Sequence, residues 1–316
     1  MNRTISVSVI CITYNHVKYI EQCIESIINQ KTNFDFELLI HDDASTDGTQ
    51  EVLKKYEKLY KDKIRVVYEK ENQYSKGIKI AKTFLYPMAK GKYFAFCEGD
   101  DYWSNFDKLQ KQFDFMENHN DFAMCTHACY INNCTNNKKS HFQYNDNKNR
   151  EFSFYECVMG GGGLFHTASY FLKREVALNM PNCFNCKWMG DYQLMMFAAI
   201  VGKVYYINES MSVYNYMTSN SWSKDVLLNK SKYIQSNKDI IKMFEKIDEF
   251  YNYKFHDVIS KCIDKHLIWN YLANNDYRYV KHNYNYYYKS LSKKGKIKFN
   301  LKCLFEKQLK KKYNSN

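Results

Sequence analysis

An α/β fold is the fold class this sequence predicts: a Rossmann-like, parallel or mixed sheet sandwiched by helices, continued by a helical C-terminal extension. Three observations predict it. Short apolar runs rich in β-branched residues alternate with amphipathic segments over the first hundred residues. Each of those runs ends in a polar or acidic loop. From about Lys224 onward the pattern is helical alone, which divides the chain into an α/β region over 1–223 and a basic helical region over 224–316.

The elements follow in order. Val7-Ser8-Val9-Ile10-Cys11-Ile12 reads as a first buried strand, and Ile20, Ile24, Ile27 and Ile28 recur at helical spacing to about Gln30. Phe36 to Ile40 is a second strand; Leu53, Tyr56, Leu59 and Tyr60 mark a helix; Ile64 to Tyr68 is a third strand. Strand, helix, strand, helix, strand is the signature of parallel βαβ units, whose ligands sit at the carboxyl ends of the strands. A helix over Lys76 to Ala89, interrupted by Pro87, leads to a fourth strand at Lys92 to Cys97. Leu109, Phe113 and Met116 place a helix over Phe106 to Asn118, and Phe122 to Ile131 alternates as a strand. Asn132 to Arg150 reads as a polar surface loop, and Gly160 to Gly163 is too flexible for a helix interior, lending itself to a close backbone approach or a moving lid. A strand over Ala168 to Leu172, a helix over Tyr192 to Val201 and one or two strands over Lys203 to Tyr216 complete the region.

At 316 residues, 45% apolar and 25% charged, the chain has enough apolar surface to fold, so disorder is excluded as the default. The net charge of +12 is uneven: residues 276–316 hold twelve Lys/Arg against Asp276 and Glu306, a net +10 that leaves +2 for the rest. A neutral body with a basic tail points to an anionic partner such as a membrane surface or nucleic acid. Eleven scattered cysteines fit reduced thiols, and neither a leader pattern at the N-terminus nor a bilayer-length apolar run is present, so a cytoplasmic protein, soluble or peripheral on the cytoplasmic face of the membrane, is expected.

Glu98-Gly99-Asp100-Asp101-Tyr102-Trp103 puts three carboxylates immediately after the fourth strand. Such a turn suits a hard divalent cation, although a solvated acidic turn has the same composition. Asp43, Ser45, Asp47 and Gly48 fit the first positions of a calcium loop, but the twelfth is Lys54 where a carboxylate is required, which excludes that reading. Ser45, Thr46 or Asp47 is then suited to capping the next helix, while Asp43 is free to accept the imide N–H of a uracil ring.

With these loops assembled, the chain resembles the family 2 glycosyltransferases, the inverting GT-A class that uses nucleotide-sugar donors. The matching residues are Thr13-Tyr14-Asn15, Asp42-Asp43-Ala44-Ser45-Thr46-Asp47, Glu98 through Trp103, Lys108 through Gln112, His166-Thr167-Ala168-Ser169 and Gly190-Asp191-Tyr192-Gln193-Leu194. They cover residues 5 to 222 in the family's order. The resemblance implies a GT-A domain and transfer of a sugar from a nucleoside diphosphate donor, UDP above all, to a glycan or lipid-linked acceptor. It implies donor contacts from Thr13, Tyr14, Asn15, Asp43, Glu98, Gly99 and Asp100, with Tyr14 stacking on the base. Mn²⁺ or Mg²⁺ would sit on Asp100 and Asp101, in the Lewis-acid role of a catalytic ion. Asp191 matches the catalytic base; capping its own helix is the structural alternative. Lys76 either reaches a phosphate or stays solvated. Trp103 either lines the acceptor subsite, with His166 and Thr167, or packs beneath the acidic loop.

Departures from the family pattern are Glu98 in place of a first Asp, Asn105-Phe106 in place of Asp-Pro, and Asn215 and Met217 where Arg and His are usual, which removes a basic phosphate clamp. Cys183-x-x-Cys186 lacks a second pair at zinc spacing, and Cys125, His127 and Cys129 share strand parity, so neither reads as a metal site. A nucleotidyltransferase would need a Gly-rich triphosphate loop after the first strand, which is missing, and a non-catalytic basic glycan- or RNA-binding protein would not need the metal acids together with Asp191. The tail interleaves Tyr277, Tyr279, Tyr284 and Tyr286 to Tyr288 with lysines, which suits an anionic membrane surface, a single-stranded nucleic acid or a solvated helix bundle. A membrane carrying a lipid-linked acceptor is the partner expected for 276–316, with no nucleic acid.

Overall fold

Four parallel strands form one side of the sheet, each delivering a loop to the same end of it. They are β1 (Ile5–Thr13), β2 (Asp35–Asp42), β3 (Ile64–Tyr68) and β4 (Tyr93–Phe96), with α1 (Ile20–Ile28) and α2 (Thr49–Leu59) as the first two crossovers. The computed structural model describes residues 4–135, 139–218 and 222–313. These divide into two units, Met1–Lys224 and Asp225–Asn316.

The first unit continues with β5 (Tyr102–Trp103), α3 (Lys108–Asn118), β6 (Phe122–Asn133), β7 (His141–Gln143), β8 (Arg150–Phe152), α4 (Phe154–Gly160), β9 (Phe171–Lys173), α5 (Arg174–Leu178), α6 (Gly190–Val201) and β10 (Lys203–Tyr216). The sheet runs β3-β2-β1-β4-β9-β6-β10-β5, with β7 on β6 and β8 on β10. It is mixed, because β9 is antiparallel to both β4 and β6 whereas β10 is parallel to β6. Central strands are buried on both faces, which is why they read as continuous apolar runs. Helix α1 sets Ile20, Cys23, Ile24 and Ile27, all fully buried, at i, i+3, i+4 and i+7 against Val7, Val9, Leu38 and Ile40 of the sheet. Each fully buried aliphatic side chain of this kind contributes about 1.5–3 kcal/mol.

Several expectations need correction. No helix runs from Lys76: residues 69–79 form an anchored loop, in which the Asn72 carboxamide accepts the Ser75 N–H at 2.7 Å and Asp43 holds Gln73 and Tyr74. Only Ala81–Leu85, a π-helical turn, and the 3₁₀ turn Tyr86–Met88 around Pro87 are helical there. The segment 132–150 is not all loop, since β7 pairs with β6 and Arg150 begins β8; residues 136–138 lie outside the described set. Gly160 closes α4, which Ser153 and Glu156 start with a reciprocal capping box, and Gly161–Gly163 form a 3₁₀ turn. Gly161 has a φ of 71°, which a side chain would strain.

Helix α7 (Trp222–Leu228) crosses the boundary between the units. The second unit holds α8 (Lys230–Phe250), α9 (His256–Ala273), α10 (Tyr277–Asn283), α11 (Asn285–Ser290), α12 (Lys293–Leu304) and α13 (Glu306–Tyr313). Ile240, Met243, Phe244 and Ile247 of α8 and Val258, Ile259 and Cys262 of α9 are buried, and the buried His266 pairs through Nδ1 with Asn237 at 2.7 Å. A smaller core gathers Ile268, Tyr277, Val280 and Phe299. Among the described residues no helix is long and apolar enough to cross a membrane.

Candidate active site

The loops after β1 and β2 are sewn together by their own polar side chains. Asp43 N–H donates to the Thr13 carbonyl at 3.0 Å, Asn15 N–H to Ser45 Oγ at 2.8 Å, and Thr46 N–H to Asn15 Oδ1 at 2.8 Å. Asn15 and Ala44 take up left-handed backbone conformations with φ of 55° and 65°. Asp47 receives Val17 N–H at 3.0 Å on one oxygen and the Thr49 N–H at the start of α2 on the other, so it ties the two loops to the first residue of that helix, whose N-cap is Gly48. Asp43 is buried, and its two oxygens accept Gln73 N–H at 2.7 Å and Tyr74 N–H at 3.1 Å. Tyr14 stands at the surface, 38% exposed, while the Thr13 hydroxyl is buried without a hydrogen-bond partner.

The loop after β4 closes onto these two. Gly99 donates to the Ile12 carbonyl at 2.9 Å, and a Cβ placed on it would lie 2.5 Å from Thr13 Oγ1, so only glycine permits this approach. Glu98, Asp100 and Asp101 thereby bring one carboxylate oxygen each within 4.8 Å of one another, the one such His/Cys/Asp/Glu group of three among the described residues. Asp101 is pinned by Asn215 N–H to Oδ1 at 2.8 Å, and its other oxygen is buried with no partner. Burial first, then the charges of Asp100 and Glu98, raise its pKa well above the usual carboxylate range. Glu98 is raised too, by desolvation in the crevice and by the charges of Asp100 and Asp191. Its side chain remains open to solvent, which tempers that rise. An orphaned buried oxygen among three like charges is relieved by a cation, and an all-oxygen donor set fits Mg²⁺ or Mn²⁺.

Asp100 Oδ2 accepts the Thr218 hydroxyl at 2.9 Å and lies 3.8 Å from His16 Nε2, and its carbonyl accepts Asn215 Nδ2 at 2.6 Å. Sequence reasoning missed Thr218 and His16, and treated Asn215 only as a lost cation. Adjacency of His16 to the Thr13-Tyr14-Asn15 loop was the one signal available. Asp191 lies in the first turn of α6, after Met189 in a left-handed conformation, and its charge reaches Glu98. Burial raises its pKa, and hydrogen bonds from Tyr192 N–H and the Thr167 hydroxyl, at 2.7 and 3.4 Å, pull it partly back. Water still reaches part of the side chain. His166, beside Thr167, stacks on Tyr214 with ring centroids 4.3 Å apart, bonds Gln143 Oε1 at 3.0 Å, and is held neutral, its pKa pushed down to about 4 by burial and by His141.

Two expected contacts fall away from the crevice. Trp103 is 2% exposed, donates its indole N–H to the Ala168 carbonyl at 3.0 Å, and supports the Lys108 ammonium 3.9 Å from its ring. It therefore has no face for a sugar and packs beneath the acidic loop. Lys76 is exposed and paired with Glu71 at 2.5 Å.

The profile described as Glycosyl transferase family 2 matches residues 8–186, more than half of the chain. A putative teichuronic acid biosynthesis glycosyltransferase, TuaG of Bacillus subtilis (strain 168), is 43% identical over 110 residues, 35% of this chain and 41% of that protein. The Escherichia coli UDP-Glc:alpha-D-GlcNAc-diphosphoundecaprenol beta-1,3-glucosyltransferase WfaP is 39% identical over 111 residues, covering 35% and 41%. The chain thus spans less than half the length of these relatives. In fold it is similar to S. aureus TarS 1–349 in complex with UDP, with a TM-score of 0.57 at 15% identity over 92% of this chain and 76% of that one. The mannosyltransferase PcManGT from Pyrobaculum calidifontis, in complex with GDP-Man and Mn²⁺, aligns with a TM-score of 0.53 at 15% identity, covering 98% and 88%.

Proposed function

Because the chain belongs to glycosyl transferase family 2, we propose that it is a metal-dependent, inverting glycosyltransferase. It moves a hexosyl or N-acetylhexosaminyl group from a UDP-sugar to a hydroxyl of a glycan or lipid-linked acceptor in surface polysaccharide or glycoconjugate synthesis. The observation that carries this reading is the gathering of Glu98, Asp100 and Asp101, with an orphaned oxygen on Asp101, within electrostatic reach of Asp191. The relatives are named as a putative teichuronic acid biosynthesis glycosyltransferase and a glucosyltransferase for a diphosphoundecaprenol-linked sugar, which supports the acceptor class.

Asp100 and Asp101, with Glu98 beside them, are the residues that would hold Mn²⁺ or Mg²⁺, whose chemistry when bound is to neutralise charge on the diphosphate leaving group. Tyr14 and the buried Thr13 hydroxyl receive the base, with Asn15 and Asp43 shaping the loop around it; Asp43, already holding two backbone N–H groups, offers its remaining lone pairs to an imide. Asp191 takes the proton of the acceptor hydroxyl as that oxygen bonds to the anomeric carbon and the bond to the diphosphate breaks on the opposite face. One displacement inverts the anomeric configuration, so no enzyme nucleophile is used. Thr167 orients the Asp191 carboxylate, and His166 walls the acceptor side as a neutral ring.

Calorimetric titration of UDP, GDP, CDP and TDP, in Mn²⁺ and in chelator, tests this. Tightest binding of UDP, dependent on the metal, is expected. Equal affinity with and without metal, or binding of none of the four, would overturn the reading.

A further inference from the structure

Helix α12 is apolar on two opposite sides. Phe299, 6% exposed, turns into the small core of the second unit and meets the rings of Tyr277, Tyr288 and Tyr287 at centroid distances of 5.4, 5.5 and 6.4 Å; Cys303, one turn on, joins it. Ile297, Leu301 and Leu304, spaced i, i+4 and i+7, make a second stripe that runs on into Phe305. That stripe faces water: the four are 63%, 49%, 69% and 50% exposed.

Lysines surround it. Lys293, Lys294, Lys298 and Lys307 are exposed, and no carboxylate among the described residues pairs with them. The two acids of the region are already occupied: Asp276 holds Lys310 at 2.5 Å, and Glu306 holds Lys310 at 3.3 Å and the Arg278 N–H at 2.8 Å. An exposed aliphatic ridge flanked by unpaired ammonium groups matches the acyl and headgroup layers of an anionic bilayer. A strand of RNA is a poorer match, because bases stack on aromatic platforms and three of the four ridge residues are aliphatic. A second copy is poorer still, because it would oppose one ring of lysines with another.

We propose that α12 is an interfacial helix that lies in the plane of an anionic membrane, with Ile297, Leu301, Leu304 and Phe305 entering the acyl boundary and the lysines on the headgroups. The inference goes beyond the transferase reading, and its readout involves no turnover, so either can fail alone.

Flotation of the full chain with vesicles rich in phosphatidylglycerol, against vesicles of phosphatidylcholine, tests it. The wild type floats with the anionic vesicles only, less so at high salt. Leu301→Asp/Leu304→Asp and Lys293→Glu/Lys294→Glu/Lys298→Glu each lower the partition by about tenfold or more while the circular dichroism spectrum and Tm stay unchanged. If the aspartates lower the Tm, Leu301→Ser/Leu304→Ser takes their place with the same expectation. Equal partition of wild type and leucine variants, equal binding to both vesicle types, tighter binding to a single-stranded RNA oligonucleotide that ignores the leucines, or a dimer that the leucine changes dissolve would each overturn it.

Discussion

Asn215→Ala isolates the tie that holds the acidic loop. Asn215 is 4% exposed; its Nδ2 donates to the Asp100 carbonyl at 2.6 Å and its Oδ1 accepts from Asn132 Nδ2 at 2.6 Å. Alanine keeps the main-chain N–H that binds Asp101 but leaves a buried carbonyl and an amide N–H unpaired. Each orphaned group costs about 1–3 kcal/mol, and entering water recovers part, for a total of about 2–4 kcal/mol. In a unit of this size each kcal/mol lowers Tm by about 2–4 °C, so differential scanning fluorimetry should register a fall of roughly 10 °C. UDP binding in Mn²⁺ should weaken along with it, because Asp100 loses its anchor. A change below about 2 °C, with unaltered UDP affinity, would refute the claim that this side chain positions the carboxylates.

Two further outcomes follow from the same geometry. As the proposed base, Asp191 must be ionised to accept a proton, and its raised pKa predicts that activity is lost on acidification at a higher pH than an ordinary carboxylate would allow; in a pH–rate profile of UDP release, Thr167→Val, which removes a hydrogen bond to the charged form, should move that acid limb upward still. Trp103→Phe orphans the buried Ala168 carbonyl and thins the support under Lys108, costing about 1–3 kcal/mol of stability, and leaves the KM for acceptor unchanged, whereas a residue lining the acceptor subsite would raise KM with no loss of Tm.

Local pattern carried the first strands and the helices between them because β1, β2 and β4 are buried on both faces and α1 on one. Partners distant in sequence carried the rest. Helical spacing after Lys76 is overridden by Asp43, thirty residues upstream of Gln73, which fixes the loop. The place of β9 between β4 and β6 depends on register with strands far away in the chain. Trp103 beside three acids read equally well as a sugar platform or as core; the Ala168 carbonyl and the Lys108 ammonium decide it, and neither is visible from spacing. The acids themselves stood out as a cluster after an apolar run, but Asn215, Thr218 and His16 became readable only once the chain had folded around them. The outward stripe of α12 was hidden because it lies opposite the inward stripe with lysines between them, so no single apolar face stands out from the spacing.

The proposed division of labour between the acidic loop and Asp191 can be separated by calorimetric titration of UDP into wild type, Asp101→Asn and Asp191→Asn, each in Mn²⁺ and in chelator. Asp191→Asn should bind UDP as the wild type does while transferring no sugar, and Asp101→Asn should lose the metal-dependent gain in affinity. Wild-type, metal-dependent binding by Asp101→Asn, or loss of UDP binding by Asp191→Asn with its Tm intact, would contradict it.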